Sequence, residues 1–271
     1  MNSKYIIFTD LDATLLDHFT YSYDAAKPAL KQINKNKIPL ILTSSKTSEE
    51  MIYYLNKLEL QDLPFIVENG SAVFTAAGYF KNFLPVEKRG KYDVYTIGDS
   101  FEQIKNKLEQ IAAKYDIKIR GFHDATIEEI QQKTDLSTEA IKRSMQREFS
   151  IPVFDDKDAE KVLRQEARNY SLQINYGGRF MHLMGISDKG MAMQLILNGF
   201  AQKQIRFKKS IALGDSLNDF PMLKLADIAV LIKKHDGSFE RRENLDNVIY
   251  SKEIGPQGWN QTILEILQEG V

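Results

Sequence analysis

The chain begins with three short apolar runs, each followed by polar residues, and segments with helical spacing separate the runs. The runs end at Thr9, Leu42 and Val67. Continuously apolar runs of this length are typical of strands that are buried on both faces. Strands that alternate with helices along a chain form a parallel sheet with helices packed on its faces. The sequence therefore predicts an α/β fold with a doubly wound parallel, Rossmann-like core.

The pattern changes in the middle of the chain. Between residues 84 and 186, short alternating strands such as DVYTIG and LQINYGGRFMHLMG surround amphipathic helices, which indicates an α+β module. The parallel rhythm then returns in the strands SIALGD and IAVLI, and a turn-rich segment, GPQGW, precedes a final helix from Thr262. We therefore predict a catalytic core of residues 1–83 and 187–271, with residues 84–186 inserted as a cap domain that determines substrate specificity.

Composition narrows the classes of function. Lys and Arg total 36 against 37 for Asp and Glu, so the net charge of -1 favours neither nucleic acid nor an anionic membrane as a partner. The chain has no cysteine, which excludes disulfides, thiolate nucleophiles and zinc–thiolate sites. Its first apolar run is too short for a signal peptide or a membrane span. We expect a cytoplasmic protein, and nothing in the sequence defines its oligomeric state.

Polar residues that suit phosphate chemistry follow the predicted strands. In an open parallel sheet, ligands bind outside the carboxyl ends of the strands, so these residues should meet in one crevice. Four segments supply carboxylates, hydroxyls and a lysine there: Asp10 to Thr14, Thr43 to Lys46, Asp188 to Gly190 and Gly214 to Asp219. The sequence therefore predicts a polar site at this edge of the core.

Clustered carboxylates repel one another, so such a site is favourable when a divalent cation neutralises them, and oxygen ligands favour Mg²⁺. A phosphate is then the natural substrate group, with a lysine and a hydroxyl to bind its oxygens. One carboxylate can attack phosphorus while a second carboxylic acid protonates the departing oxygen. Each residue alone has an ordinary alternative as a turn, helix cap or solvated side chain. The combination of four such segments favours the chemistry.

The four segments resemble the signature of the haloacid dehalogenase superfamily of phosphatases: D-x-D-x-T, a strand-end Ser or Thr, a Lys, and G-D-x-x-x-D. The resemblance implies that Asp10 is the nucleophile and Asp12 the acid and later the base. It also implies that Ser44 and Lys189 bind the phosphate.

The resemblance further implies a magnesium site. Its ligands would be Asp10, the backbone carbonyl of Asp12, and Asp215, with Asp219 close to the metal shell. The chain departs from the family pattern at Ala13, where the family usually has glycine. Because glycine suits tight turns, we expect slight strain there.

Further segments resemble the mannosyl-3-phosphoglycerate phosphatases within this superfamily: TSSKT, ENG, REFS, GGRFMHLMGISDKG, GDSLND and GPQGW. This resemblance implies a large inserted cap and hydrolysis of 2-(α-mannosyl)-3-phosphoglycerate, a small sugar phosphate, to mannosylglycerate and phosphate. Relatives often have an acidic residue where this chain has Ile151, so the sugar is less firmly implied than the reaction.

Eight residues are candidates for substrate binding: Thr43, Lys46, Glu68, Asn69, Arg147, Arg179, His182 and Asn218. Glu68 and Asn69 end a strand and could contact sugar hydroxyls, and an arginine fork from Arg147 or Arg179 suits a glycerate carboxylate. The alternatives are a solvated Arg147 in a basic helix and an ordinary hydrogen-bonded His182. Trp259 is expected to pack under the last helix.

Other functions remain open. One is a phosphatase for another sugar phosphate, such as glucosyl-3-phosphoglycerate or sucrose phosphate, and a phosphomutase is a further option within enzymes. A protein of a different class would accept or bind phosphorylated metabolites without turnover. The presence of Asp12 argues against that class, because binding alone needs no acid and base.

Overall fold

A computed structural model of the chain describes residues 3–81, 83–134, 136–177, 180–240, 245 and 248–269. Arg179 lies outside the described residues. The strands are β1 (Tyr5–Thr9), β2 (Leu40–Leu42), β3 (Phe65–Val67), β4 (Ala72–Ala76), β5 (Glu87–Arg89), β6 (Tyr92–Thr96), β7 (Ser150–Val153), β8 (Leu172–Gly177), β9 (Phe180–Gly185), β10 (Lys209–Gly214), β11 (Ile228–Lys233) and β12 (Val248–Ile254). The α-helices are α1 (Lys27–Lys35), α2 (Ser48–Leu58), α3 (Phe101–Tyr115), α4 (Ile127–Gln131), α5 (Thr138–Ser144), α6 (Lys157–Glu166), α7 (Lys189–Gln202), α8 (Phe220–Leu225) and α9 (Gly255–Glu269).

Five parallel strands form the central sheet, in the order β12-β11-β10-β1-β2. Apolar side chains of α1, α2 and α9 pack on one face with those of the strands: Ile33, Met51, Ile263, Ile7 and Leu213. On the other face the packed side chains come from α7, α8 and the strands: Ile196, Leu223, Phe8 and Ala212. Alternate residues of one strand thus face opposite helix layers. The predicted doubly wound core is confirmed.

A second, antiparallel sheet has the order β3-β4-β6-β5. A parallel bridge between Thr43 and Ile66 links β3 to the end of β2. The predicted boundary at 83/84 passes through this sheet, because β5 and β6 follow the boundary and pair with β4, which precedes it. The alternation in DVYTIG predicts a half-buried strand but does not identify the strand it pairs with.

The rest of the insertion contains a three-stranded antiparallel sheet, β7-β9-β8, covered by α3 and α6. Its own apolar core includes Ile104, Leu108, Leu163 and Leu183. A smaller cluster around Phe122 and Phe154 packs under α4 and α5. An α+β module with a separate core is what the sequence predicts for this part of the chain.

The C-terminal region differs from the prediction in two ways. Strand β12 was not predicted, and GPQGW is the first part of α9 rather than a turn before it. Proline is tolerated in the first turn of a helix, where its missing N–H has no partner to lose. In the part of the chain that the structure describes, no helix is both long enough and apolar enough to cross a membrane.

A left-handed turn between β3 and β4 packs against the start of α7. Glu68, Asn69 and Gly70 have φ values of 44°, 59° and 92°. A Cβ atom on Gly70 would lie 2.1 Å from the carbonyl oxygen of Asp188 and 2.6 Å from the amide nitrogen of Lys189. Two features therefore favour glycine at position 70: the positive φ angle and the close approach of the backbone of Asp188 and Lys189.

We expect Gly70→Ala to reduce the free energy of unfolding by about 3 kcal/mol, because the methyl group adds overlap with backbone to the strain of a positive φ. Gly78 is the matched control, since it also has a positive φ, 73°, but no atom lies within 4 Å of its added Cβ. Gly78→Ala should cost only about 1 kcal/mol. Urea unfolding measures both losses, and equal losses would contradict the close packing at Gly70.

Candidate active site

Lys189 and Asp10 form the centre of the site. Asp10 directly follows β1, and its N–H donates to the carbonyl of Leu213 at 2.9 Å, which fixes it beside β10. Lys189 is the first residue of α7, and its side chain is fully buried. Its Nζ donates to Asp10 Oδ1 and to Asp219 Oδ1, both at 2.6 Å. A buried ammonium needs such partners, since leaving it unpaired would cost several kcal/mol.

Three buried carboxylates surround this lysine. Asp10, Asp215 and Asp219 each offer an oxygen, and these oxygens all lie within 4.8 Å of one another. Burial raises the pKa of Asp10 well above its usual range, Lys189 opposes that rise, and the other carboxylates add to it. Burial, with repulsion from Asp219, raises the pKa of Asp215 to about 7. Burial and, to a smaller extent, mutual repulsion thus disfavour the charged carboxylates, and a cation would relieve the repulsion.

Asp219 is fixed by the backbone of its own loop. Its Oδ2 accepts hydrogen bonds from the N–H groups of Asp215 and Ser216, both at 3.0 Å. Asp215 Oδ1 accepts a longer bond, 3.4 Å, from the hydroxyl of Thr14. The segment after β10 and the segment after β1 are therefore joined directly.

Asp12 lies apart from the three clustered carboxylates and pairs with Lys46. Lys46 Nζ is 2.9 Å from Asp12 Oδ2 and 3.9 Å from Glu50 Oε1. Burial alone would lower the pKa of Lys46, but the attraction of Asp12 and Glu50 outweighs it and raises the pKa. Among the residues that the structure describes, Asp12 Oδ1 has no hydrogen-bond partner. Lys46, a predicted substrate-binding residue, thus pairs with Asp12, the residue predicted to act as acid and base.

The turn after Asp12 is strained at Ala13, as the presence of alanine in place of glycine predicts. Ala13 has a φ of 58°, in the left-handed region. The turn is closed by a hydrogen bond from the N–H of Leu16 to the carbonyl of Leu11, at 2.8 Å. For a residue with a Cβ atom this backbone conformation costs about 1–2 kcal/mol.

Thr43 and Ser44 lie at the same edge of the sheet as Asp10. The N–H of Thr43 donates to the carbonyl of Thr9 at 2.8 Å, so the ends of β2 and β1 are adjacent. Both side chains are buried, and Ser44 Oγ accepts from the N–H of Lys46 at 3.3 Å. Thr43 Oγ1 has no hydrogen-bond partner within the described part of the chain. Two hydroxyls therefore accompany the carboxylates.

Glu68 is fully buried and bonded to the insertion. Its carboxylate accepts from the N–H of Glu148 at 2.8 Å, the N–H of Phe149 at 3.2 Å and the hydroxyl of Ser150 at 2.5 Å. Burial raises the pKa of Glu68 to about 7, against the lowering effects of Arg147 and these hydrogen bonds. A contact from this side chain to a sugar hydroxyl stays a prediction.

The other predicted substrate residues lie in different surroundings. Asn69 Oδ1 accepts from Asn218 Nδ2 at 2.9 Å, beside the loop of Asp219. The guanidinium of Arg147 lies beyond the end of α5 and donates to the carbonyl of Ser45 at 2.7 Å. His182 is buried on β9, opposite Pro152.

Sequence reasoning missed how Trp259 supports the site. Its indole N–H donates to Thr9 Oγ1 at 2.9 Å, and that hydroxyl donates to the backbone carbonyl of Asp10 at 2.8 Å. The indole is fully buried, as its predicted packing role requires. Only the polar tip of the single tryptophan could have indicated the link to β1, because a buried indole N–H usually finds an acceptor.

The chain is similar to known phosphatases along nearly its whole length. A glucosyl-3-phosphoglycerate/mannosyl-3-phosphoglycerate phosphatase of Methanococcoides burtonii is 40% identical, over 97% of each chain. One of the same description from Persephonella marina is 38% identical, again over 97% of each chain. A mannosyl-3-phosphoglycerate phosphatase of Pyrococcus furiosus is 36% identical over 92% of this chain and 97% of the other.

Solved structures share the fold at low identity. A haloacid dehalogenase-like hydrolase from Bacteroides thetaiotaomicron has a TM-score of 0.68, with 15% identity over 98% of this chain and all of that one. A Thermoplasma acidophilum protein has a TM-score of 0.63, with 18% identity over 98% and 99% of the two chains. The family of haloacid dehalogenase-like hydrolases matches residues 7–253. The predicted superfamily and the prediction of an enzyme are confirmed, and the chain belongs to the haloacid dehalogenase-like hydrolase family.

Proposed function

We propose that this protein is a magnesium-dependent phosphatase that hydrolyses mannosyl-3-phosphoglycerate, or its glucosyl counterpart, through an aspartyl phosphate. The observation that carries the proposal is the buried Lys189 between Asp10 and Asp219. It joins a nucleophile, a phosphate-binding cation and a cluster of carboxylates in one site. The substrate follows from the activities that the relatives' names give. A cytoplasmic location stays a prediction.

The residues present fit a magnesium ion. Three carboxylates within 4.8 Å of one another offer hard oxygen ligands, and burial makes their mutual repulsion costly. Asp10, Asp215, Asp219 and the backbone carbonyl of Asp12 would hold the ion. When bound, Mg²⁺ would supply a positive charge that screens the phosphate from the carboxylates.

Asp10 would act as the nucleophile. A carboxylate oxygen forms a bond to phosphorus as the bond from phosphorus to the glycerate oxygen breaks, and Lys189 binds the negative charge of the phosphoryl group. The departing glycerate oxygen takes the proton of Asp12. The products of this half reaction are the glycosylglycerate and an acyl phosphate on Asp10.

Asp12 would then act as a base. Once ionised, it takes a proton from the water that attacks phosphorus, and the bond between phosphorus and Asp10 breaks to release phosphate. Lys46, 2.9 Å from Asp12 Oδ2, is placed to offset the negative charge that Asp12 has between the two half reactions. The ordinary alternative, a phosphatase for another sugar phosphate, would use the same steps.

Adding Mg²⁺ to metal-free protein should raise its thermal unfolding temperature. At a hundredfold excess of Mg²⁺ over Kd, the free energy of unfolding should increase by about 2.7 kcal/mol. Because the folded-state pKa of Asp215 is raised from 3.8 to about 7, the folded state binds more protons than the unfolded state between those values. Metal-free stability should therefore fall as pH rises from about 4 to 7, and Mg²⁺ should reduce the fall. Calorimetry at several pH values, with Asp215→Asn and exposed Asp116→Asn as control, checks this. No response to Mg²⁺ would contradict the metal site.

Replacing Asp10 by Asn should lower kcat by about 10³-fold or more, because the amide oxygen is a poor nucleophile. Asp12→Asn should lower it by about 10²–10⁴-fold through both half reactions. Phosphate release measures the rates, with Asp116→Asn as a control for the loss of one distant charge. Near-normal turnover by Asp10→Asn, or full wild-type turnover in excess chelator, is incompatible with the mechanism.

We expect glycosyl-3-phosphoglycerates to be preferred to simple hexose phosphates by one to two powers of ten in kcat/KM. A hexose phosphate lacks the glycerate carboxylate, so it would forgo a charge-assisted contact with arginine worth about 1–3 kcal/mol. Arg147→Met or Arg179→Met should raise KM for the phosphoglycerates and hardly affect hexose phosphates. A phosphate-release panel over both substrate types measures this. Equal losses on both, for both variants, would favour a broader sugar phosphatase.

A further inference from the structure

We propose that Glu68 is a positioning residue that docks the insertion onto the phosphate-binding loop, here defined as Thr43 to Ser48. In this role Glu68 does not touch the substrate. It fixes the insertion, through residues 148–150, above the loop that presents Ser44. The proposal rests on the proposed function for the phosphate-binding role of the loop and for the choice of substrate in its kinetic test.

The carboxylate of Glu68 accepts hydrogen bonds from the insertion. Two backbone N–H groups and one hydroxyl donate to it, from Glu148, Phe149 and Ser150. The side chain is fully buried, and the nearest cation, Arg147, is 3.9 Å away. A carboxylate with several donors can remain buried, whereas its removal would leave those buried donors unpaired, which is unfavourable.

The backbone of the same turn holds the phosphate-binding loop. The N–H of Glu68 donates to the carbonyl of Lys46 at 3.0 Å, and the N–H of Asn69 donates to the carbonyl of Ser44 at 2.9 Å. One residue therefore binds the loop through its main chain and the insertion through its side chain. A shift of either partner must be transmitted to the other through a turn of three residues.

The loop also contacts the insertion directly. Thr47 Oγ1 donates to the carbonyl of Arg143 at 2.9 Å, and Ser48 Oγ donates to Glu148 Oε1 at 2.5 Å. Arg147 donates to the carbonyl of Ser45 at 2.7 Å. These bonds surround the Glu68 carboxylate, so the loop that carries Ser44 contacts the insertion at several points, in addition to the pairing of β6 with β4.

The backbone at Glu68 is strained, which is consistent with a position fixed by its surroundings. Glu68 and Asn69 both have positive φ although neither is glycine. Such backbone conformations are unfavourable for residues with a Cβ atom, and they persist where neighbouring contacts determine them. The next residue, Gly70, lies against the start of α7, where Lys189 begins. The turn thus contacts the loop, the insertion and the helix of the phosphate-binding lysine.

The first test compares Glu68→Gln with Glu166→Gln. Glu166 is also a buried carboxylate with several donors, but these come from Tyr115, Lys114 and Asn169, all within the insertion. The wild type and both variants are assayed with mannosyl-3-phosphoglycerate and with p-nitrophenyl phosphate, which has no sugar or carboxylate for the insertion to contact. Glu68→Gln should lower the ratio of the two kcat/KM values by about tenfold or more. Glu166→Gln should leave the ratio unchanged.

The second test is independent of the substrate. Hydrogen exchange of the amides of Glu148 and Phe149 should be about tenfold faster in Glu68→Gln, because an amide cannot accept from all the donors that the carboxylate serves. Ser150→Ala removes one donor from the insertion without altering the core, and it should change exchange and the kinetic ratio in the same direction by less. If Glu68→Gln does not fold, the exchange and kinetic results of Ser150→Ala test the proposal in its place.

Unchanged exchange at residues 148–149 in both Glu68→Gln and Ser150→Ala would overturn the proposal, as would equal losses of kcat/KM on the two substrates in Glu68→Gln. A wild type that cleaves p-nitrophenyl phosphate but no glycosyl phosphoglycerate would instead refute the proposed substrate. The exchange result would then still decide the role of Glu68. The kinetic ratio would be measured with the best sugar phosphate of the panel.

Discussion

The buried contact of Lys189 with Asp10 and Asp219 sets the arrangement on which the site depends. An ammonium removed from water is costly unless its charge is matched, and here two bonds of 2.6 Å match it. The three residues come from the end of β1, the start of α7 and the loop after β10. Because each partner is buried, none of these elements can shift without leaving a charge unpaired. The free energy of that contact therefore fixes the geometry of the whole edge of the sheet.

The rest of the core supplies rigidity around this contact. Strand β1 lies between β10 and β2, so Asp10 starts from the centre of the sheet. The indole of Trp259 donates to the hydroxyl of Thr9, and that hydroxyl donates to the backbone carbonyl of Asp10. Helix α9 thus supports Asp10, the proposed nucleophile, although Trp259 follows Thr9 by some 250 positions in the chain. A site that must oppose carboxylate repulsion benefits from such support, since small displacements change the repulsion strongly.

The sequence predicted what depends on local pattern. Short apolar runs followed by Asp10, Ser44 and Asp215 indicated the core and its functional edge, because the carboxyl ends of parallel strands meet there. It did not predict that β6 pairs with β4, since alternation leaves the partner strand open. Nor did it predict that Lys46 pairs with Asp12. Both depend on contacts between different segments of the chain, and the periodicity of one segment does not identify the segment that it contacts.

Glu68 and Asp10 show two solutions to one physical problem. Burial raises the pKa of both carboxyl groups. At Asp10 a buried cation, Lys189, provides the main compensation. At Glu68 the compensation comes from Arg147 together with the N–H groups and the hydroxyl of the insertion. Because those donors are themselves part of the insertion, the hydrogen bonds that Glu68 accepts from them depend on the position of the insertion. Burial at Asp10 is thus compensated within the core, whereas burial at Glu68 is compensated across the contact between the core and the insertion.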